Sequence, residues 1–543
     1  MPVKTSRNTD ETIALSLPAI FQNNMMLQRE KPVPVWGQSA PGAKITVSVQ
    51  GQTACTTADA DSSWKVTLSP LTASDEETLA VTAFAPGIEA DNNPTDKTGP
   101  DTKTILFKNV AVGEIWVAAG QSNMEFWMRY EKHRSDALIN CPGHRIRFFD
   151  VPKICFDRQL ADFDYSRMGI WRFADTKESL DYFSAVGFYF QKELEEALNV
   201  PVGIIGCNWG GTVSAAWMHP DTVKRVGKPW MDHFHEVPEY ANLDQYLAAQ
   251  HTKRINDHGN PFSDVFLEKV LPQTLPDREF RQFVHHLPRD FYRDCFYDYF
   301  EKPQPQSIPG SLYQHMLKTI APCAVRGILW YQGEGDDEFG FADLYQEMLT
   351  ALIGDWRALW EDPALPFLIV QLPGFSRWLM QMPGNNFMEI RRCQEAVCDT
   401  VPGTWLCSIS DSGEEADAHP KDKKTVGHRL ALLALGHIYG KNLLSDAPRA
   451  VSSLRRDTLL IVTFAHAEGG LVICGDRLEA MQLFDSTGRE MAFDAAAEGE
   501  QLILTMKNLT PGPIKIAFAQ TSWYRVNLYN QAGIPAVPFI MSA

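Results

Sequence analysis

The feature that most limits the possible folds is the rhythm of residues 105 to 440, where short apolar runs alternate with amphipathic segments of helical period. Four such runs, at 202–205, 327–330, 367–371 and 405–409, have the length of buried strands. Strands that alternate with helices predict an α/β domain with a parallel sheet and helices on both of its faces. In such a sheet, ligands bind beyond the carboxyl ends of the strands.

Both flanks of this region have the two-residue alternation of antiparallel strands, at about 12–85 and again after 440. Residues 86–101 are rich in Pro, Gly, Asp and Asn and are typical of a surface loop or linker. The sequence therefore predicts three domains: a β-sandwich-like domain with its linker at 1–104, an α/β domain at 105–440, and a β-rich domain at 441–543. Residues 219–309 interrupt the central rhythm, and this insertion is either a lid over the site or an outer elaboration.

The composition limits the partners of the chain. Its 543 residues carry a net charge of −17, which argues against nucleic acid because binding to phosphates requires basic clusters. No apolar run is long enough for a transmembrane span, so no membrane partner is expected. The first residues lack the apolar segment of a signal peptide, which leaves a cytoplasmic location, or a periplasmic or secreted one if a signal was removed. The oligomeric state is left open.

A candidate nucleophile stands where an apolar run ends, in the sequence Gly120-Gln121-Ser122. The run before it predicts a strand, and the residues after Ser122 can begin a helix. A serine at this turn projects from the carboxyl edge of the sheet, and the helix N-terminus behind it favours developing negative charge. The same pattern is also typical of a simple helix N-cap.

A candidate base and acid lie far downstream in Asp417-Ala418-His419-Pro420. A serine hydroxyl needs a base to take its proton, and histidine has a suitable pKa when a carboxylate fixes its tautomer. In extended backbone, residues two apart point to the same side, so one segment can supply both groups. A histidine in a loop is otherwise usually a plain surface residue.

Taken together, these segments resemble the sialate O-acetylesterase family of the SGNH (GDSL-like) hydrolase superfamily. The matching segments are Met26-Leu27-Gln28-Arg29, Val35-Trp36-Gly37, Gly120-Gln121-Ser122-Asn123-Met124, Ser184-Ala185-Val186, Trp209-Gly210-Gly211-Thr212, Trp330-Tyr331-Gln332-Gly333-Glu334, Arg391 with Gln394, Asp417-Ala418-His419-Pro420, and Asn527-Leu528-Tyr529-Asn530. The resemblance implies a three-layer α/β/α catalytic domain with Ser122, His419 and Asp417 as the catalytic triad. The general SGNH pattern has its acid three residues before the histidine, whereas Asp417 lies two before, as in the sialate-esterase variant.

The resemblance also implies an oxyanion hole formed by the backbone N–H groups of Ser122 and Gly211 and by the side-chain amide of Gln332. Glycines at 210–211 fit this role because a backbone without a side chain can approach a ligand closely, although a tight turn would need them equally.

Three further residues are candidates for substrate binding. Arg391 is a candidate for holding the substrate or the loop that carries His419, with a structural salt bridge as the alternative. Trp127 and Trp209 flank the nucleophile and the glycine turn, where an aromatic ring could stack on a sugar, with burial in the core as the alternative.

The resemblance implies hydrolysis of O-acetyl esters on sugars, with O-acetylated sialic acids as the substrate, and a serine nucleophile predicts a two-step reaction through an acetyl-enzyme intermediate. This chemistry requires no cofactor and no metal. Two alternatives remain: an esterase for acetylated xylan or another polysaccharide, and a non-catalytic carbohydrate-binding protein with a vestigial site.

Overall fold

The computed structural model describes residues 13–88, 101–159, 168–250, 304–376, 387–415 and 417–543. Its centre is a parallel sheet whose strands are buried along most of their length, as expected for strands covered on both faces. In spatial order the strands are Trp171–Phe173, Ile146–Asp150, Val202–Asn208, Thr102–Gly120, Gly327–Tyr331, Phe367–Val370 and Thr404–Cys407. Trp171–Phe173 is antiparallel to its neighbour, and the other listed pairs are parallel.

The strand Thr102–Gly120 belongs to two sheets at once. Its first half pairs antiparallel with Ser74–Phe84, and its last residues pair parallel with Val202–Asn208 and Gly327–Tyr331. The predicted boundary between residues 104 and 105 therefore falls inside a continuous strand. Side chains of both regions form one hydrophobic core, so the N-terminal strands and the central sheet are packed as one body.

The N-terminal region consists of short antiparallel strands, as its alternation predicts. One sheet contains Leu15–Ser16, Val33–Ser39 and Ser63–Leu68, and a second adds Lys44–Val49 and Gln52–Thr57 to Ser74–Phe84. Met26–Gln28 pairs parallel with the strand Thr102–Gly120.

Helices connect and cover the central strands. Ala185–Leu198 packs against Lys423–Leu433, and Tyr345–Leu359 packs against Phe387–Thr400. A Cβ at Gly427 would lie 2.6 Å from the Cβ of Tyr189, so the first of these helix pairs depends on a glycine for its close approach. The other α-helices among the described residues are Ser122–Glu125, Lys177–Leu180, Pro220–Val226, Lys228–Glu236, Leu243–Gln250, Lys318–Ile320 and Glu334–Glu338. Among the described helices, none combines the length and the apolar character needed to cross a bilayer.

The C-terminal region has a hydrophobic core of its own. A four-stranded antiparallel sheet contains, in order, Arg449–Arg456, Leu459–Ala465, Gln501–Met506 and Phe493–Glu498. Smaller sheets are formed by Met481–Phe484, Lys515–Phe518 and Phe539–Ser542, and by Val472–Ile473 with Leu528–Tyr529. The whole architecture is mixed α/β, as the sequence predicts.

The insertion predicted at 219–309 begins with the helices Pro220–Val226, Lys228–Glu236 and Leu243–Gln250. Residues 251–303 lie outside the described residues, so the lid hypothesis stays a prediction.

Candidate active site

The site lies where the central strands end at a common edge of the sheet. In the parallel register, Gly120 is paired with Asn208 on one side and with Tyr331 on the other. The chain leaves each of these strands directly into a predicted site segment, with Ser122 after the first, the glycine turn after the second and Gln332 after the third. The sheet thus brings together three segments that are far apart in the sequence.

The turn before Ser122 has a conformation that requires glycine. Gly120 has φ +132°, and a Cβ on this residue would lie 2.1 Å from the carbonyl oxygen of Tyr331. Gln121 then fixes the turn, because its backbone N–H donates to the same carbonyl at 3.1 Å and its side-chain oxygen accepts from Gly335 N–H at 3.1 Å. Ser122 follows as the first residue of the helix Ser122–Glu125.

Ser122 and His419 are in direct contact although 297 residues separate them in the chain. The Oγ of Ser122 lies 2.8 Å from Nε2 of His419, and each residue is only 3% exposed. Asp417 accepts a hydrogen bond from the backbone N–H of His419 at 2.8 Å through Oδ1. The same Oδ1 lies 3.8 Å from Nδ1 of the imidazole, which is close for an electrostatic interaction but long for a hydrogen bond.

The electrostatic environment favours a neutral His419. Burial, together with the nearby ammonium group of Lys423, lowers the pKa of His419 to about 3. A neutral imidazole with its proton on Nδ1 presents a lone pair on Nε2, which is the atom that faces Ser122 Oγ. The arrangement can therefore accept the serine proton, as a general base must do.

The glycine turn after the strand Val202–Asn208 is hydrogen-bonded to the helix Ser122–Glu125. The carboxylate of Glu125 accepts the backbone N–H of Gly210 at 2.6 Å, and its other oxygen forms a buried ion pair with Lys153. Gly211 adopts φ +70°, which glycine tolerates without strain. Within the part of the chain that the structure describes, the backbone N–H groups of Ser122 and Gly211 have no protein acceptor.

Gln332 has a different environment from the one that the resemblance implies. Its side chain is fully buried, and its amide nitrogen donates to Asp336 Oδ2 at 2.6 Å and to the carbonyl oxygen of Thr212 at 3.3 Å. Its amide oxygen accepts from the Tyr345 hydroxyl at 3.0 Å. Both amide protons therefore have acceptors away from Ser122, and the contact with Thr212 fixes the residue that follows the glycine turn.

Two of the three candidate sugar-binding residues are buried. Arg391 is 3% exposed and donates to the carbonyl oxygens of Pro373 at 3.2 Å and Thr521 at 2.9 Å, so it joins the catalytic domain to the C-terminal region. Trp209 is 1% exposed, which is the core environment named as the alternative. Trp127 is only partly buried and lies edge-on to Tyr182 at 5.2 Å between ring centroids.

Sequence reasoning did not predict the buried charged residues near Ser122, Lys423 and Glu334. Lys423 donates to Asn123 Oδ1 at 2.5 Å, and Asn123 Nδ2 in turn donates to Glu334 Oε1 at 2.5 Å and to the carbonyl oxygen of Ala418 at 2.8 Å. This network connects the residue after Ser122 to the residue before His419. Burial lowers the pKa of Lys423 to about 8 and raises that of Glu334. Charged residue types alone do not predict burial, because Lys and Glu are mostly exposed in proteins.

Comparisons with known proteins indicate the class of protein. Residues 299–434 match the family model described as carbohydrate esterase, sialic acid-specific acetylesterase. The chain is 25% identical to the sialate O-acetylesterase of Mus musculus over 83% of its own length and 79% of that protein. The values for the sialate O-acetylesterase of Homo sapiens are 25%, 83% and 77%.

One solved structure is similar over nearly the whole chain. It is a carbohydrate acetylesterase from Xanthomonas citri with a TM-score of 0.71 and 26% identity, and the match covers 97% of this chain and 99% of that one. The class of protein defined by these matches is the carboxylic ester hydrolases. Within that class, the family model and the curated relatives confirm the predicted resemblance to the sialate O-acetylesterases.

Proposed function

We propose that the protein is a serine esterase that removes O-acetyl groups from sugars, with O-acetylated sialic acids as its substrate. The observation that carries this proposal is the 2.8 Å contact between Ser122 Oγ and His419 Nε2 at the carboxyl edge of the sheet. The names of the curated relatives support acetylated sialic acid as the substrate.

In the first step, His419 takes the proton of Ser122 while Oγ attacks the acetyl carbonyl carbon. The oxyanion then accepts hydrogen bonds from the backbone N–H groups of Ser122 and Gly211, whose lack of a protein acceptor within the described residues supports this role. His419 gives the proton to the departing sugar alcohol. In the second step, His419 takes a proton from water as the water oxygen attacks the acetyl carbonyl carbon. The bond to Ser122 Oγ then breaks, Oγ takes the proton back from His419, and acetate is released.

Asp417 is proposed as the acid that stabilises the imidazolium formed during each step. Its Oδ1 lies 3.8 Å from Nδ1, which is close enough for its negative charge to favour the imidazolium. Gln332 is proposed to act in one of two ways: it stays bonded to Asp336 and shapes the glycine turn, or its amide turns toward the oxyanion once substrate is bound. The first role is supported by the 2.6 Å contact with Asp336.

We also infer that the central sheet and its helices form the three-layer α/β/α arrangement of SGNH hydrolases. The packing of two separate helix pairs around one parallel sheet supports this inference.

The test is acetate release from 9-O-acetylated sialic acid and from acetylated xylan by the wild type, Ser122→Ala, and the exposed control Ser135→Ala. We expect release from the sialic acid, unchanged in Ser135→Ala and lowered about 10⁴-fold or more in Ser122→Ala. Activity only on xylan would refute the proposed substrate and keep the mechanism. Equal release by the wild type and Ser122→Ala would refute the serine mechanism. If the folded wild type releases no acetate and a fluorophosphonate leaves Ser122 unlabelled, the site is vestigial.

A further inference from the structure

A second group of chemically active side chains lies beside the loop that carries His419. Glu131, His133 and Asp422 each offer one ligand atom, and these three atoms lie within 4.8 Å of one another. The group combines two carboxylates with an imidazole, and it takes no part in the chemistry proposed for Ser122. Glu131 and His133 are two positions apart, but Asp422 lies far downstream, so no single sequence motif predicts the group.

Glu131 has an oxygen atom that the fold does not use. The residue is 2% exposed, and its Oε2 accepts from the Tyr189 hydroxyl at 2.8 Å and from the backbone N–H of His133 at 2.6 Å. Its Oε1 is buried and has no hydrogen-bond partner among the residues that the structure describes. A buried carboxylate oxygen without a partner destabilises the folded state, and a bound cation would remove that cost.

Asp422 and His133 each have a possible metal-ligand atom near the other residue. Asp422 uses Oδ1 to cap the helix Lys423–Leu433 through the backbone N–H of Thr425 at 3.1 Å, which leaves Oδ2 for another partner. That Oδ2 lies 3.6 Å from Nε2 of His133 and 4.0 Å from Nζ of Lys132. Two ligands held about 2.0–2.1 Å from a tetrahedral zinc ion are separated by about 3.3 Å, which is close to the observed spacing.

We propose that Glu131, His133 and Asp422 bind one divalent transition-metal ion of the zinc type, with water completing the coordination. The mixed nitrogen and oxygen ligands favour zinc over calcium or magnesium, which prefer oxygen ligands alone. The ammonium group of Lys132 is compatible with a bound ion, because this side chain is 62% exposed and can turn to solvent.

We assign the ion a structural role, because its ligands come from two segments, residues 131–133 and the residues after His419, that are already in contact. The backbone N–H of Lys132 donates to the carbonyl oxygen of Lys421 at 3.0 Å, two residues beyond His419. A metal ion at the proposed site adds a second connection between these segments. The ion therefore stabilises the loop of the catalytic histidine without taking part in ester hydrolysis, and the proposal does not depend on which substrate the enzyme uses.

The experiment uses the full chain after treatment with a chelator and its removal, titrated with zinc chloride by calorimetry and followed by metal analysis. We expect one zinc ion per wild-type chain and a rise in the thermal unfolding temperature. Glu131→Gln and Asp422→Asn should each weaken zinc binding at least about tenfold. Asparagine caps helices as well as aspartate does, so Asp422→Asn keeps the helix start intact.

The matched control is His428→Ala, which removes an exposed histidine that contacts Glu193 at 2.8 Å. This control should bind zinc as the wild type does. His133→Ala provides a second test, because its partly exposed side chain can be removed without opening the core. Zinc binding that is unchanged in Glu131→Gln and His133→Ala, or that falls equally in His428→Ala, would overturn the proposal and indicate surface binding only.

Discussion

The two sides of the site are built in different ways. The nucleophile side, residues 120–125 with the proposed nucleophile Ser122, begins at the end of a buried strand whose neighbours belong to the large core shared by the N-terminal and central regions. The acid–base side, residues 411–415 and 417–419 with the proposed base His419, lies outside regular secondary structure between the strand Thr404–Cys407 and the helix Lys423–Leu433. Regular secondary structure therefore fixes Ser122, whereas His419 depends on contacts made by a loop.

The loop contacts residues 374–376, which in turn contact the C-terminal region. Gly413 packs on the backbone of Gly374, and Ser376 N–H donates to the carbonyl oxygen of Glu415 at 3.0 Å. The same segment reaches the C-terminal region, where Phe375 N–H donates to the Ser522 carbonyl oxygen at 2.8 Å. The comparison predicts that substitutions on the nucleophile side mainly lower the free energy of unfolding. Substitutions on the acid–base side should mainly lower kcat.

The largest effect is expected for Gly120→Ala, which breaks the nucleophile side. A Cβ at this position would lie 2.1 Å from the Tyr331 carbonyl oxygen, and φ +132° is strained for any other residue. The free energy of unfolding should fall by roughly 3 kcal/mol or more, with activity lost as well. Chemical denaturation measures the change. A variant as stable as the wild type would contradict the rigid strand described above.

Glu125→Ala should lower kcat about 10²-fold, because the Gly210 N–H would lose the acceptor that holds the glycine turn. Glu125→Gln keeps an acceptor oxygen and should recover part of that loss. The matched variant Lys153→Met removes the ion-pair partner of Glu125 but leaves the Glu125 carboxylate in place. It therefore tests the ion pair separately from the hydrogen bond to Gly210. Steady-state kinetics with one acetyl ester checks all three. Unchanged kcat in Glu125→Ala would show that the turn is held by other contacts.

Gly413→Ala tests the acid–base side with the same chemical change as Gly120→Ala. Its Cβ would lie 2.2 Å from the Gly374 carbonyl oxygen, so the loop must shift. We expect kcat to fall about tenfold or more, with a smaller loss of stability than in Gly120→Ala. Kinetics and thermal unfolding of both variants give the comparison directly. A loss of stability equal to that of Gly120→Ala would remove the distinction between the two sides.

The smallest effect is expected for Lys423→Met, which tests how the charge of Lys423 affects His419 on the acid–base side. In the proposed mechanism His419 acts as a base only when neutral, so kcat/KM should fall as pH drops through its pKa. The Lys423 charge helps to lower that pKa, so removing the charge should raise it and move the acid limb to higher pH by about one unit. Lys423→Arg keeps the charge and should leave the limb in place. The profiles are measured with chelator present, and an unmoved limb in Lys423→Met would contradict this explanation.

Much of the fold could be predicted from the sequence because it follows from periodicity. Apolar runs of strand length predicted five strands of the central sheet but not Ile146–Asp150 or Trp171–Phe173, and two-residue alternation predicted the flanking β regions. The strand Thr102–Gly120 shows where this reasoning fails, because a local pattern does not reveal that one strand serves two sheets.

The candidate site could be predicted where short motifs carry chemistry. The structure brings Ser122 and His419 together, whereas the partners of Gln332, the buried pair of Glu125 and Lys153, and the network through Asn123 depend on tertiary contacts. Arg391 and Trp209 illustrate the same limit, because their residue types suit sugar binding as well as they suit a buried role.

The strand Thr102–Gly120 also has a consequence for the order of folding during synthesis. Domains generally fold from the N-terminus as the chain emerges. The N-terminal sheet can thus form with this strand in place, while both of its parallel partners, Val202–Asn208 and Gly327–Tyr331, are synthesised later. Until they arrive, the end of the strand presents unpaired backbone groups on two sides, which favour pairing with other chains. The strand that ends just before Ser122 is therefore the template on which the central sheet is assembled, and its unpaired end needs protection until the later strands are synthesised.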